Sequence, residues 1–139
     1  MKLMYANNIR ECQLVAEKIF NHIKMHRKVV LYLTGAMGAG KTTFCNFLVS
    51  FFNGTGVSSS SFGIVNSIFA DRFILHCDFY RYQPDDYFVE CEIMPLLQKD
   101  YLLIIEWGNL EKLFTDSVNY SVSIEVRNDL SRCISFMEI

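Results

Sequence analysis

Gly35-Ala36-Met37-Gly38-Ala39-Gly40-Lys41-Thr42 constrains this chain more than any other stretch. It matches the pattern G-x-x-x-x-G-K-[ST] at every fixed position. Residues 29–34 before it form an apolar, β-rich run that reads as a buried strand. Residues 42–52 after it read as a buried helix, ended by Asn53-Gly54. Strand, glycine loop and helix in that order let the backbone curl so that successive N–H groups point inward at an anion. The N-terminus of the helix adds its dipole and free donors. The spacing therefore predicts a phosphate-binding loop, with Lys41 reaching the β- and γ-phosphates and the Thr42 hydroxyl ligating Mg²⁺. A plain strand-to-helix turn with an exposed lysine would not require a hydroxyl directly after that lysine.

With 139 residues, the chain is expected to form one domain, 1–139, that buries about two thirds of its unfolded surface. Hydrophobic residues make up 51% and charged residues 20%, a globular balance with no polar tract that signals disorder. A net charge of −2 gives no whole-molecule field toward nucleic acid, so any RNA contact needs a local patch or a partner. No apolar run reaches the length of a membrane span, and residues 1–8 lack the apolar core of a signal peptide. The expected location is the cytoplasm. The five cysteines are odd in number and include no C-x-x-C pair, which argues against a disulfide framework and a zinc knuckle. They read as small core residues in a reducing compartment. His76 lies in an apolar run and reads as a packed, hydrogen-bonded residue rather than a metal ligand.

Periodicity places an amphipathic helix over residues 8–25, with Ile9, Cys12, Leu14, Val15, Ile19, Phe20 and Ile23 as its apolar stripe and Asn7 or Asn8 as N-cap. A small-residue segment, 53–61, follows the glycine-loop helix. Residues 62–68 and 73–78 read as a hairpin turning at Asp71-Arg72. Residues 85–98 read as helix, with Pro95 breaking or ending a turn. Residues 101–106 are the clearest buried strand, and 121–126 with 133–137 a terminal antiparallel hairpin around Asn128-Asp129. That order predicts an α/β fold with a mixed sheet.

Two acids end predicted strands. Glu106 closes five apolar residues, where P-loop proteins place an acid that holds the metal or its water opposite the loop threonine. It is otherwise the first polar residue after a strand. Asp78 ends another strand and could orient or deprotonate an attacking water. It could equally cap a turn. Ser61 could sense the γ-phosphate as a switch residue, or be a linker serine.

Together these pieces resemble the TsaE (YjeE) family, the ATPase component of bacterial tRNA threonylcarbamoyladenosine synthesis. The matching residues are Gly35 with Gly38 to Phe44, then Ser59-Ser60-Ser61-Phe62 with Val65-Asn66, then His76-Cys77-Asp78-Phe79-Tyr80-Arg81, then Glu106-Trp107. The resemblance implies a P-loop NTPase-like three-layer sandwich with a mixed, mostly parallel sheet. It implies ATP phosphates on Lys41 and the backbone of Gly38, Ala39, Gly40, Thr42 and Thr43. Thr42 and Glu106 would hold Mg²⁺, Asp78 would support hydrolysis, and Trp107 would lie beside the nucleotide. It also implies TsaB-like and TsaD-like partners that carry out the transfer, with tRNA reached indirectly through that complex and no membrane. ATP hydrolysis would reset the complex. The chain departs from the family where Ser60 replaces a switch proline and where Ala36-Met37 replaces Asp-Leu.

Two other functions compete. A small-molecule or nucleoside kinase also uses a phosphate loop, but needs an acceptor pocket and usually arginines on a closing lid. The six arginines here are dispersed. A nucleotide-dependent binding module with negligible hydrolysis would use ATP only to shift a partner-binding population. No Asn-Lys-x-Asp guanine-reading motif is present.

Overall fold

The computed structural model describes residues 1–55 and 64–139. Seven strands form one mixed sheet: β1 (Lys2–Ala6), β2 (Lys28–Thr34), β3 (Val65–Ile68), β4 (Phe73–Asp78), β5 (Tyr101–Glu106), β6 (Val118–Val126) and β7 (Arg132–Glu138). Their spatial order is β1-β7-β6-β2-β5-β4-β3. The central strands β6, β2, β5 and β4 run parallel, while β7 and β1 on one flank and β3 on the other pair antiparallel. The expected α/β mixed sheet and the β6–β7 hairpin are both present.

Two helices lie on one face. In α1 (Ile9–Ile23), Asn8 is the N-cap, its side chain accepting from the Glu11 N–H at 2.9 Å. Glu11 returns the favour to the Asn7 N–H at 2.7 Å, a near-capping-box exchange that holds its carboxyl below the usual range. Helix α2 (Lys41–Phe51) starts directly after the glycine loop and packs against α1. It ends where Asn53 takes a φ of 57° and the Gly54 N–H donates to the Val49 carbonyl.

Strand alternation splits the interior into two cores. Val29, Leu31 and Leu33 of β2, with Leu102 and Ile104 of β5, point toward α1 and α2. Val30 and Tyr32, with Leu103 and Ile105, point the other way. That second core is covered by a thinner layer, which makes the third layer of the sandwich. A one-turn helix α3 (Asp86–Phe88) runs into a π-helical turn, Val89–Ile93, and a 3₁₀ turn, Met94–Leu96. The regular helix expected over 85–98 is thus corrected to three short turns of different pitch. Pro95 supplies no N–H to an α ladder, and Val89 and Ile93 turn inward to fill the second core.

Strand β1 was not visible in the sequence. Only Met4 and Ala6 point inward, too short an alternation to stand out, and the strand forms because the open edge of β7 needs a partner. Strand β6 also begins earlier than the pattern indicated, at Val118, since Val118 to Ser123 pair with β2. The cysteines are only partly the core residues expected: Cys45 and Cys77 are buried, Cys12 and Cys133 half-buried, and Cys91 exposed. No helix among the described residues is long and apolar enough to cross a membrane.

Leu31 lies on the central strand with no exposed surface. Leu31→Ala is expected to cost about 2–5 kcal/mol through lost burial and a residual cavity, read as a lower midpoint in urea denaturation.

Candidate functional site

Parallel pairing aligns the carboxyl ends of the central strands. Leu33 lies opposite Glu106, and Asp78 lies opposite Glu106 on its other side. The glycine loop springs from the end of β2, so loop and both acids meet at one edge of the sheet, where open α/β sheets bind ligands.

The loop has the geometry its sequence requires. Gly38 and Gly40 take φ values of 77° and 110°, backbone conformations that L side chains rarely adopt. Both face open space, with nothing within 4 Å of where a Cβ would sit. Gly40 caps α2, and no side chain satisfies that helix end. Its first-turn N–H groups therefore point, without intrahelical partners, toward the loop's concavity.

Lys41 is buried and folded back on the loop. Its ammonium donates to the carbonyls of Gly35 at 2.8 Å and Ala36 at 3.0 Å, and lies 4.7 Å from the centre of the Trp107 ring. Trp107 itself has a φ of 59°, a left-handed conformation that costs of order 1 kcal/mol or more in a non-glycine residue. That bend directly after Glu106 turns the indole back over the loop, 5.1 Å from the Tyr80 ring.

Glu106 is 5% exposed and far from being the first solvated residue after a strand. Its Oε1 lies 3.0 Å from His76 Nε2 and 4.0 Å from Cys45 Sγ. His76 is thus packed and hydrogen-bonded, as its apolar setting indicated. Burial, reinforced by the nearby Glu106 carboxylate, pushes the Cys45 thiol well above its ordinary range. Asp78 does cap a turn, its Oδ1 accepting from the Tyr80 N–H at 3.0 Å. It nevertheless lines the same cavity as the loop.

That cavity, about 400 Å³, is bounded by Gly38, Gly40, Lys41, Thr42, Thr43, Asp78, Tyr80, Glu106 and Trp107, with Met37 at its rim. A second cavity, about 200 Å³, lies across the start of α2 and shares Gly40 and Thr43 with the first. Ala39 lines this second space, along with Asn8, Phe44, Ile124 and Arg132. Ser61 lies outside the described residues, as does the segment containing Ser60.

Arg132 was missed in the sequence. From the first position of β7 it donates through Nε to the Ala39 carbonyl at 3.3 Å, bracing the loop from the opposite side of α2. No motif marks it, because the sheet order alone brings β7 near the loop.

A family model, "Threonylcarbamoyl adenosine biosynthesis protein TsaE", matches residues 6–134. The chain belongs to the TsaE family. A TsaE of Rickettsia felis is 27% identical over 97% of this chain and 79% of its own length. Another from Rickettsia bellii is 28% identical over 74% of this chain and 73% of its own. Both are named as tRNA threonylcarbamoyladenosine biosynthesis proteins. The crystal structure of Bacillus subtilis YdiB superposes with a TM-score of 0.69 at 20% identity, covering 99% of this chain and 85% of that one, and shares the fold. TsaE family membership ties this chain to that tRNA modification.

The backbone at Gly40 makes its demand through conformation alone, with a φ of 110° and no atom near where a Cβ would sit. Gly40→Ala is expected to cost about 1–2 kcal/mol from the strained φ alone, although the side chain would meet no atom. A thermal melt measures this loss, and a melt unchanged from the parent would contradict the strain.

Proposed function

We propose that this TsaE-family chain works as a single Mg²⁺-dependent ATPase domain acting on TsaB-like and TsaD-like proteins in tRNA threonylcarbamoyladenosine formation. One observation carries the reading. Lys41, Thr42, Asp78 and Glu106, drawn from three separate elements, α2, β4 and β5, line one cavity at an uncapped helix N-terminus.

The chemistry of each residue follows. Triphosphate oxygens would take the N–H groups from Gly38 to Thr43 and exchange for the Gly35 and Ala36 carbonyls on Lys41. That exchange replaces two neutral acceptors with charged ones, and charge-assisted bonds are about twice as strong. The Thr42 hydroxyl and the Glu106 carboxylate are hard oxygen donors of the kind Mg²⁺ takes, and both line the cavity. They would hold the cation, which would supply positive charge against the charge developing on the phosphates. Glu106 must then turn from His76 toward Thr42. Asp78, half-exposed and tethered by the Tyr80 N–H, would orient the attacking water. Trp107 would cover the phosphates once Lys41 leaves its face. The second cavity, reached past Gly40 and Thr43, would take the nucleoside end.

Hydrolysis would reset the partner complex, and tRNA would be bound by that complex rather than by this chain. The cytoplasm is where such a substrate resides.

The test is phosphate release from ATP and Mg²⁺ by the chain alone and then with the TsaB- and TsaD-like proteins of the same source. Slow release stimulated by both partners is expected. Release indifferent to them, or phosphate passed to a small acceptor, would overturn the reading. Two variants separate binding from chemistry. Lys41→Ala is expected to weaken ATP binding about 10- to 100-fold, the worth of charged hydrogen bonds, followed by fluorescence of Trp107, the only tryptophan. Asp78→Ala is expected to keep ATP affinity within about threefold while lowering hydrolysis about 100-fold or more, measured by phosphate release at saturating ATP.

A further inference from the structure

The geometry points to a second kind of cation site in this chain: Cys45, His76 and Glu106 form a three-ligand site for a soft divalent cation, zinc. The three come from α2, β4 and β5, and all are buried. Each offers one ligand atom, and the three atoms lie within 4.8 Å of one another. His76 Nε2 and Glu106 Oε1 are 3.0 Å apart, and Cys45 Sγ is 4.0 Å from the same oxygen.

A tetrahedral zinc with ordinary bond lengths separates its ligand atoms by roughly 3.3–3.6 Å. The cluster reaches that spacing if the side chains shift by about 1 Å or less, with no movement of the strands. Three protein ligands leave the fourth position to water, the arrangement of open zinc sites. The donor set chooses among metals. A thiolate and an imidazole select zinc, whereas Mg²⁺ demands hard oxygens in an octahedron. The Mg²⁺ reading of the neighbouring cavity uses Thr42 and Glu106 and gives Cys45 and His76 no ligand role.

The His76 ring makes one hydrogen bond, to Glu106, and its Nδ1 is buried without a partner among the described residues. A cation between His76 Nε2 and Glu106 would take the place of their hydrogen bond, the imidazole proton then residing on Nδ1, and the Cys45 thiol would give up its proton to solvent on ligation. Entry is through the Glu106 wall of the loop cavity.

A consequence follows that rests on the proposed Mg²⁺ role of Glu106. The same carboxylate cannot serve both cations, so bound zinc would antagonise Mg-ATP. Zinc binding by the nucleotide-free chain does not depend on that role, so the two ideas fail separately.

The experiment uses the reduced full chain, stripped of metal and free of nucleotide and Mg²⁺. Zinc is titrated against a chromophoric chelator, and cobalt(II) is substituted to report thiolate ligation by its near-ultraviolet charge-transfer band. One equivalent of zinc and a cobalt–thiolate band are expected. Cys45→Ser should remove the band and weaken zinc by about 100-fold or more. Cys91→Ser, at the exposed thiol, should change neither. The absence of a thiolate band in the unmutated chain overturns the site whatever the variants do. So does a band that survives Cys45→Ser or disappears in Cys91→Ser. For the antagonism, one equivalent of zinc is expected to weaken Mg-ATP binding at least tenfold in the parent chain and to leave it unchanged in Cys45→Ser. Equal affinity with and without zinc overturns the shared carboxylate and leaves the zinc site standing.

Discussion

The parallel register of β2, β5 and β4 is the constraint on which the rest of this structure depends. Pairing Leu33 with Glu106 and Asp78 with Glu106 ends three strands at one level. A slip of one residue would turn Glu106 from the α2 face into the second core, against residues of the other elements there such as Tyr32, Cys77 and Phe79, and would expose it to an apolar surrounding. The alternation of apolar side chains into two cores forbids that slip. Hydrophobic burial, which carries no chemistry of its own, thus fixes both acids at the edge of the sheet beside the glycine loop.

The loop is held in tension between two sides. From one, Lys41 ties it to itself through Gly35 and Ala36, with the Trp107 ring closing over the ammonium. From the other, Arg132 holds the Ala39 carbonyl. The strained backbone at Trp107 persists because the ring gains contacts with both Lys41 and Tyr80. In this state the lysine is satisfied without a ligand, which avoids an uncompensated buried charge. On the proposed reading, nucleotide would exchange for the Gly35 and Ala36 carbonyls on Lys41 rather than order a loose loop.

Glu106 is the residue where these demands collide. It is buried enough to need a partner and takes His76; it also lines the cavity where an oxygen donor is wanted. Under the two proposals, this carboxylate would be drawn to one side or the other by whichever cation is bound. Cys45 makes the inner setting different in kind from an ordinary hydrogen-bonded acid, because sulfur and imidazole prefer another metal from the one the outer setting suits.

Much of this was legible in the sequence, for a reason that varies with distance along the chain. The strand, glycine loop and helix from 29 to 52 are a local unit, so their residue types and spacing specify the geometry almost alone. The two acids stood out because an abrupt polar residue after an apolar run is itself a local signal. The run over 85–98 showed its helical tendency but not its broken pitch, since Val89 and Ile93 answer to a core the sequence cannot display. Strand β1 and the brace from Arg132 were invisible, for both depend on which strand lies beside β7 and the loop. The sequence by itself determined the glycine loop, the family and the identities of the acids. Only the tertiary structure decided that His76, 30 residues from Glu106, and Cys45, 61 residues from it, meet the same carboxylate oxygen. Sheet order and helix packing are set by burial summed over the whole chain, and no short stretch of residues contains that sum.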